Sequence, residues 1–499
     1  MNLATIIEPH EPDSGALISA GEVTTFGDLR QQCAAVRGGL IAAGLKPGDR
    51  VALLLSSTWY FAVAHLAALG AGAVVVPLNP QSPTVELQRQ LDTVTPKMAI
   101  VGPSAAKAFD GIDRRQAGVE TVFTPEGVTL DSGCVPFEDL LVSAPSPISE
   151  RSDTDLAVLM FTSGTAGAPR AAMLTHGNLR ANLEQMQSQP GGAIGPDDTL
   201  LCVIPLHHIY GLNATLHLGL ANGSRTLLVQ RFDPVSSIES IKRHAVTVVA
   251  GVPPMYDAWA SLPVDVAGSD AFAGVRILAS GASRLEPMVA SQFAERFGRP
   301  IGEGYGLTEA SPTVTAASFP NPRAGTIGLP LAGLTVRVVD SNGDDVVAGD
   351  PGEVWVSGPN VFVGYWNDPT ATALALDADG WLHTGDVAVV DDHGSLTLVD
   401  RAKDLIIVSG FNVYPAEVEE ALLAHPGIRD AAVVGAPHPH TGETVTAFVV
   451  PAADRMLDED EVIDFCSTQL ARYKCPSKVT VVPDLPRLAS GKVVRRNLL

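Results

Sequence analysis

An α/β protein of several packed units is predicted: a large N-terminal domain of αβαβα-type sheets, a β-rich subdomain, and a small α+β C-terminal domain. From Val51 onward, short β-branched runs alternate with Ala- and Leu-rich stretches of helical length, the pattern of crossover units on parallel sheets. From about Gly325 the texture changes to strands and tight turns, and after residues 400–404 it resets to a compact mixture of both elements. At 499 residues the chain exceeds one ordinary core, since domains hold roughly 100–200 residues each. The expected boundaries are 1–399 for the N-terminal domain, with its β-rich part at about 325–399, a hinge at 400–403, and a C-terminal domain at 404–499.

VALLL (51–55) and AVVVPL (73–78) read as strands, because β-branched side chains suit a buried pleated surface. The apolar stretch 61–78 is the one candidate for a membrane span, but His65, Gly70, Gly72 and Pro77 interrupt it, so buried helix, turn and strand are expected. Similar strand-like runs recur at 199–204, 225–229, 246–252 and 275–279, and ligands on such sheets gather at strand ends. In the β-rich part, LTVRVVDSNGD and DVAVVDDHGSLTLVDR place Asn342-Gly343 and His393-Gly394 at hairpin turns, where positive φ is needed. The last domain reads as the helix AEVEEALLAHPG, the strands DAAVVGAP and TVTAFVVP, and a helix beginning near Asp458.

Thirty-three Lys and Arg against 55 Asp and Glu leave a net charge of −22, which repels polyanions and argues against nucleic-acid or anionic-membrane binding. An anionic ligand must therefore meet a local basic site. The five cysteines are scattered without a CxxC pair, which suits free thiols in a reducing compartment; the N-terminus carries no basic start or long apolar run, and no transmembrane segment is expected. A cytoplasmic enzyme is the reading.

Residues 161–170, FTSGTAGAPR, follow the apolar LAVLM and end in a cation. Such a loop can turn backbone N–H groups and hydroxyls on a polyphosphate while Arg170 neutralises charge. It lacks GxxxxGK followed by Ser or Thr and so is not a Walker loop. Taken alone, such a loop is more often a solvated turn.

Further motifs then occur in order: VIPLHHIYG (203–211), SGASRL (280–285), GEGYGLTE (302–309), GEVWVSG (352–358), GYW (364–366), WLHTGD (381–386), DRAKDLIIVSGFNVYP (400–415) and PRLASGK (486–492). With these the chain resembles the adenylate-forming (ANL) superfamily of acyl-CoA synthetases, including fatty-acid and aryl-acid CoA ligases, peptide-synthetase adenylation domains and luciferases. The resemblance implies that Thr162, Ser163, Gly164, Thr165 and Gly167 hold the β- and γ-phosphates of ATP. Arg170 stands where Lys is usual and Ala171 where Gly is usual; Arg keeps the charge but brings a broad fork in place of a point donor.

Within GEGYGLTE, the resemblance places Tyr305 against adenine, Thr308 on a phosphate, and Glu309, with Thr165, on Mg²⁺; Glu303, Gly304 and Gly306 belong to the same nucleotide segment. A hard divalent ion prefers oxygen ligands and offsets the charge that an attacking carboxylate meets. On its own Glu309 would be a surface or helix-capping acid. Gly281, Ala282 and Ser283 resemble the segment along adenine and the acyl carboxylate. Asp386 and Arg401 resemble ribose-hydroxyl ligands.

Lys492 resembles the adenylation lysine, whose mobile ammonium stabilises the charge built as carboxylate attacks α-phosphate; alone it would be a solvated tail lysine. Lys403 resembles the hinge about which a mobile C-terminal domain turns, bringing Ser409, Gly410 and Phe411 to a tunnel for an incoming thiol. His208 resembles a residue lining the acyl-carboxylate site, with His207 at a frequent Phe position; adjacent histidines without further ligands do not make a metal site.

No acid near PLHHIYG is present to hold a substrate ammonium, which favours a neutral organic acid. Gly306 stands where acetate-type enzymes carry a bulky residue, so a longer acyl or aryl tail is expected, with Tyr210, Ala279, Gly281, Gly306, Ser311 and Pro312 as pocket residues. The implied substrates are a small carboxylic acid, ATP and coenzyme A, with Mg²⁺. Loading of an acyl carrier protein, or a nucleotide-binding homologue with weakened catalysis, are the alternatives.

Overall fold

The computed structural model describes residues 1–131, 133–162, 170–401, 406–408, 411–438, 442–453, 455, 457–470, 472–487 and 493–498; for 400, 401, 407, 411, 412, 442 and 496 it describes the backbone alone. They form two compact units. The first comprises Met1–Gly281, Leu285–Thr335 and Val356–Leu382; the second comprises Ala282–Arg284, Val336–Trp355 and His383–Leu499.

Two sheets build the first unit. One has strands in the order Val135–Pro136, Thr121–Thr124, Met98–Val101, Arg50–Leu54, Val74–Pro77, Leu156–Thr162 and Arg170–Thr175. All neighbours are parallel except the last two, which pair antiparallel with Thr162 opposite Arg170. The other sheet runs Leu329–Pro330, Thr313–Ala316, Gly302–Gly306, Ile277–Ser280, Val248–Gly251, Thr199–Cys202, Arg225–Leu228, Gly15–Ser19 and Glu22–Thr25. From Gly302–Gly306 to Gly15–Ser19 it is parallel, so the four later strand-like runs share one sheet and send their ends the same way.

The stretch 61–78 is the expected helix, turn and strand. Helix Trp59–Gly70 is buried from Phe61 to its end, which explains why it is apolar there on every side except at His65; Gly72 turns the chain at φ 80° into strand Val74–Pro77. Among the described residues no helix is long and apolar enough to cross a membrane.

An aromatic cluster underlies the second sheet. Phe272 meets Trp259, Phe293 and Phe297 edge-on at centroid distances of 5.2, 5.0 and 4.9 Å, a geometry favoured by the ring quadrupole. Burying each ring stabilises by about 1.5–3 kcal/mol. The Tyr256 hydroxyl donates to the Ala279 carbonyl at 2.6 Å, tying this core to the strand that leads into Gly281.

The second unit carries a four-stranded sheet ordered Thr335–Val339, Pro351–Ser357, Leu382–Val390 and Leu396–Arg401. Both expected turns are present, with Gly343 at φ 84° and Gly394 at φ 79°. Asp391 Oδ1 accepts from the N–H groups of His393 (2.8 Å) and Ser395 (3.0 Å), which tightens the second turn. Further on, Gly442–Pro451 pairs with Ile428–His438, Ile406–Val408 and Lys478–Val481, and Phe411–Val413 pairs with Ile406–Val408. Helices Pro415–Leu423 and Glu459–Ser467 cover this sheet's core; Asp458 caps the latter by accepting from Asp460 and Glu461 N–H.

Candidate active site

In the first unit the candidate residues gather where parallel strands end. Strand Leu156–Thr162 delivers Thr162, and Arg170 opens the antiparallel strand beside it. Ser163, Gly164, Thr165 and Gly167 lie outside the described residues.

Arg170 is engaged rather than free. Its Nε donates to Asp368 Oδ2 at 3.2 Å, and its guanidinium lies 5.7 Å from the centre of the Tyr365 ring. Asp368 also caps helix Pro369–Ala375 by accepting from Ala371 N–H at 2.9 Å. Neighbouring backbone laces this segment to the strand: Trp366 N–H donates to Ala171 O (2.8 Å) and Met173 N–H to Gly364 O (2.9 Å).

Tyr365 then reaches across to the next motif. Its hydroxyl donates to Glu309 Oε1 at 2.7 Å, while Phe362 N–H donates to the Glu309 carbonyl at 2.8 Å. Burial and the Glu309 carboxylate raise the Tyr365 pKa, so the phenol stays protonated and keeps donating. Glu309 thus has one oxygen committed and a second with no protein partner among the described residues. That donor set fits Mg²⁺, which takes one or two carboxylates and leaves its other positions to water and phosphate. No cluster of three or more His, Cys, Asp and Glu that could hold a metal by itself occurs among the described residues.

Thr308–Ala310 is a turn of 3-10 helix after strand Gly302–Gly306. A side chain at Gly306 would place its Cβ 2.2 Å from the Pro312 carbonyl, so glycine there is demanded by the fold, independently of the length of any acyl tail. Gly304 is similarly close to Thr315 O, at 3.1 Å. Tyr305 is buried. Glu303, whose charge departs from the resembled pattern, has a local reason: its Oε2 accepts from Leu285 N–H at 3.0 Å, fixing the chain just before helix Pro287–Phe297.

The acyl-side candidates meet at the neighbouring strand ends. Gly281 N–H donates to Gly251 O at 3.2 Å, and a Cβ on Gly281 would stand 3.2 Å from the Tyr210 ring. The Tyr210 hydroxyl donates to Gly251 O at 3.3 Å. His208 Nδ1 accepts from Tyr210 N–H at 3.2 Å, which puts the ring proton on Nε2. His208 opens to solvent on one side but sits deep among protein atoms, and that enclosure lowers its pKa. It is a neutral donor, suited to a carboxylate oxygen. Burial, then His208, lowers His207 to about 4.

In the second unit Ala282 has φ 68° and Ser283 follows it. Asp386 and Arg401 are directly opposed in the ladder of Leu382–Val390 with Leu396–Arg401, and Asp386 is buried. The turn before Asp386 is clamped: Glu353 accepts from Gly385 N–H (3.0 Å) and Trp355 Nε1–H (3.1 Å), and Trp355 stacks on His383 at 4.1 Å. Phe411 opens strand Phe411–Val413. Lys403, Ser409, Gly410 and Lys492 lie outside the described residues.

Tyr365, Asp368 and Glu353 are the residues that sequence reading missed. GYW and GEVWVSG drew attention only as motifs, although Asp-Pro at 368–369 carries an N-cap signature.

Residues 8–366 match the model of the AMP-binding enzyme family, and residues 417–492 match that of the AMP-binding enzyme C-terminal domain. A 4-coumarate–CoA ligase 2 of Oryza sativa subsp. japonica is 37% identical over 98% of this chain and 89% of its own length. A long-chain-fatty-acid–CoA ligase of Escherichia coli O6:H1 is 34% identical over 97% of this chain and 91% of its own. The crystal structure of ATP-bound MatB from Rhodopseudomonas palustris superposes with a TM-score of 0.92 at 32% identity, covering 100% of this chain and 98% of that one.

Proposed function

The chain belongs to the AMP-binding enzyme family, and on that premise we propose how its residues perform the reaction of an AMP-forming acyl-CoA synthetase. The enzyme is an ATP-dependent acid–thiol ligase acting on a fatty or aryl acid. In the first half-reaction a carboxylate oxygen attacks the α-phosphorus of ATP, the bond to the β-phosphate oxygen breaks, and pyrophosphate leaves with the electron pair. In the second, the thiol of coenzyme A attacks the acyl carbon, AMP leaves with its bonding pair, and the thiol proton passes to base.

The observation that carries the residue assignment is the chain Arg170–Tyr365–Glu309, by which one segment joins the strand opening after the phosphate loop to the GYGLTE turn. Thr162, Ser163, Gly164, Thr165 and Gly167 cradle the β- and γ-phosphates. Glu309, with Thr165, would hold Mg²⁺, which would offset the negative charge that the attacking carboxylate meets. Neutral His208 donates through Nε2 to the acid carboxylate. Tyr305 and Gly281–Ala282–Ser283 flank adenine, and Asp386 and Arg401 hold the ribose.

The working division is 1–399, a hinge at 400–403 and 404–499. Rotation about Lys403 exchanges Lys492, which serves adenylation, for Ser409, Gly410 and Phe411, which line the thiol approach. No disulfide links the described cysteines, in keeping with a cytoplasmic enzyme.

A panel of short, medium, long and aromatic acids with ATP, Mg²⁺ and CoA tests this. Acid-dependent pyrophosphate, AMP and thioester are expected. Their absence across the panel would sink the assignment, and thioester formed on a holo-carrier protein but not on CoA would move the acceptor to the carrier.

A further inference from the structure

Behind the loop that carries Thr308 and Glu309 runs a line of buried polar groups that none of these roles uses. Leu212–His217 is a turn of π-helix directly after Ile209–Gly211, and such turns frequently occur at functional sites. It carries Asn213 and His217, both fully buried, as is His65 on helix Trp59–Gly70.

The protons along this line are determined from its Asn213 end. Asn213 Nδ2 donates to the carbonyls of Ser311 (2.7 Å) and Leu179 (3.2 Å). Two carbonyl acceptors fix the amide's orientation, so its Oδ1 faces His217 Nδ1 at 2.9 Å and accepts a hydrogen bond from Nδ1–H. His217 Nε2 is then a lone pair, and it accepts from His65 Nε2–H at 2.8 Å. Both rings are neutral: burial lowers His217 to about 3, and burial with the neighbouring His217 and His176 holds His65 well below its ordinary value.

The other end is a constrained turn. Ser311 has φ 68°, a left-handed conformation that a residue with a side chain keeps only where surrounding contacts impose it. Asn213 holds its carbonyl, Asn360 O accepts from its hydroxyl at 2.8 Å, and Leu307 N–H donates to Pro312 O at 3.0 Å, closing the loop around Thr308–Ala310.

We propose that Asn213, oriented by His217 and His65, is a positioning residue that holds the Ser311 turn and thereby sets Thr308 and Glu309 for adenylate formation. The inference rests on the ligase reading above. A fully buried polar line is costly when half satisfied, so removal of one link is felt at the next.

The test uses the full-length enzyme and measures ATP–pyrophosphate exchange, thioester formation from supplied acyl-AMP, thermal unfolding and imidazole nitrogen NMR. Asn213→Ala and Asn213→Asp are expected to slow adenylate formation about tenfold or more, with thioester formation within about threefold of wild type. The Asp variant keeps an oxygen for His217 but loses the donor to Ser311, so it should match Ala. His65→Leu should slow the same step, and His65→Gln, whose amide can donate to His217, should recover it. His217 should show its proton on Nδ1.

Folded variants with wild-type exchange, equal loss in both steps, or a proton on His217 Nε2 would each overturn the relay while leaving the ligase reading intact. A wild-type enzyme without acid-dependent exchange would overturn both. If the Asn213 variants do not fold, the His65 pair decides the same question.

Discussion

Replacing Tyr365 by Phe removes one atom, the hydroxyl that donates to Glu309 Oε1 at 2.7 Å. The ring remains, with its edge contact to Phe362 at 5.0 Å and its face toward the Arg170 guanidinium at 5.7 Å, so no cavity opens. A hydrogen bond to a charged group contributes about 1.5–3 kcal/mol. Tyr365 is partly open to solvent, which places the loss near the lower end, about 1.5–2 kcal/mol, or about 10–30-fold in rate if Glu309 is correctly held only through this contact. The raised pKa keeps the phenol a donor through neutral and moderately alkaline pH, so the ratio of wild type to variant should not vary there. Acid-dependent pyrophosphate release measured against Mg²⁺ concentration checks it. The kcat of Tyr365→Phe should fall by that factor and its Mg²⁺ requirement rise. Wild-type kcat with an unchanged Mg²⁺ dependence would refute the claim that Tyr365 positions Glu309.

Lys492→Ala should cripple adenylate formation yet spare thioester formation from supplied acyl-AMP; equal loss of both steps counts against its role. Gly306→Ala forces a methyl to within 2.2 Å of the Pro312 carbonyl, an overpacking of about 1–3 kcal/mol, so a lower Tm and slower pyrophosphate exchange are expected. A variant equal to wild type in both would show that the loop yields freely. His217, lowered to about 3 by burial, and His176, lowered to about 4 by burial, the N-terminal amine and Arg151, both lie below the ordinary 6.5. The unfolded chain therefore takes up these protons first, and stability falls as pH drops from about 6.5 toward those values, by up to about 1.4 kcal/mol per pH unit for each ring. Denaturant titrations at pH 7 and pH 5 should separate clearly, and His217→Asn should shrink the gap; no gap would contradict neutral buried rings.

Much of the fold was legible because it is written in local periodicity. The runs at 51–55, 73–78, 199–204 and 225–229 are strands because β-branched residues in short blocks have few other uses, and the chain turns at Asn342-Gly343 and His393-Gly394 because Gly343 and Gly394 accept positive φ. The candidate site was legible as motifs, each a short string whose glycines, hydroxyls and acids stand in sequence order. Its internal wiring was not. Asp368 lies 198 residues from Arg170, and Tyr365 lies 56 from Glu309, distances over which no periodicity speaks. Gly306 was expected from the sequence to line a pocket, whereas the constraint found there is steric: the Pro312 carbonyl belongs to a hairpin that only the folded strand pair creates.

The sequence alone determined the class of protein: an α/β chain that carries, in order, the motifs of the adenylate-forming family. Tertiary structure decided which atoms of those residues are committed and which remain for a ligand. Glu309 has one oxygen taken by Tyr365, Arg170 is engaged by Asp368, His208 carries its proton on Nε2, and Asn213 faces its amide to Ser311 because two carbonyls lie on that side. The reason is that hydrogen bonds are directional and short-ranged. A chain specifies which donors and acceptors exist, but only the packing of distant segments to within about 3 Å specifies which of them meet.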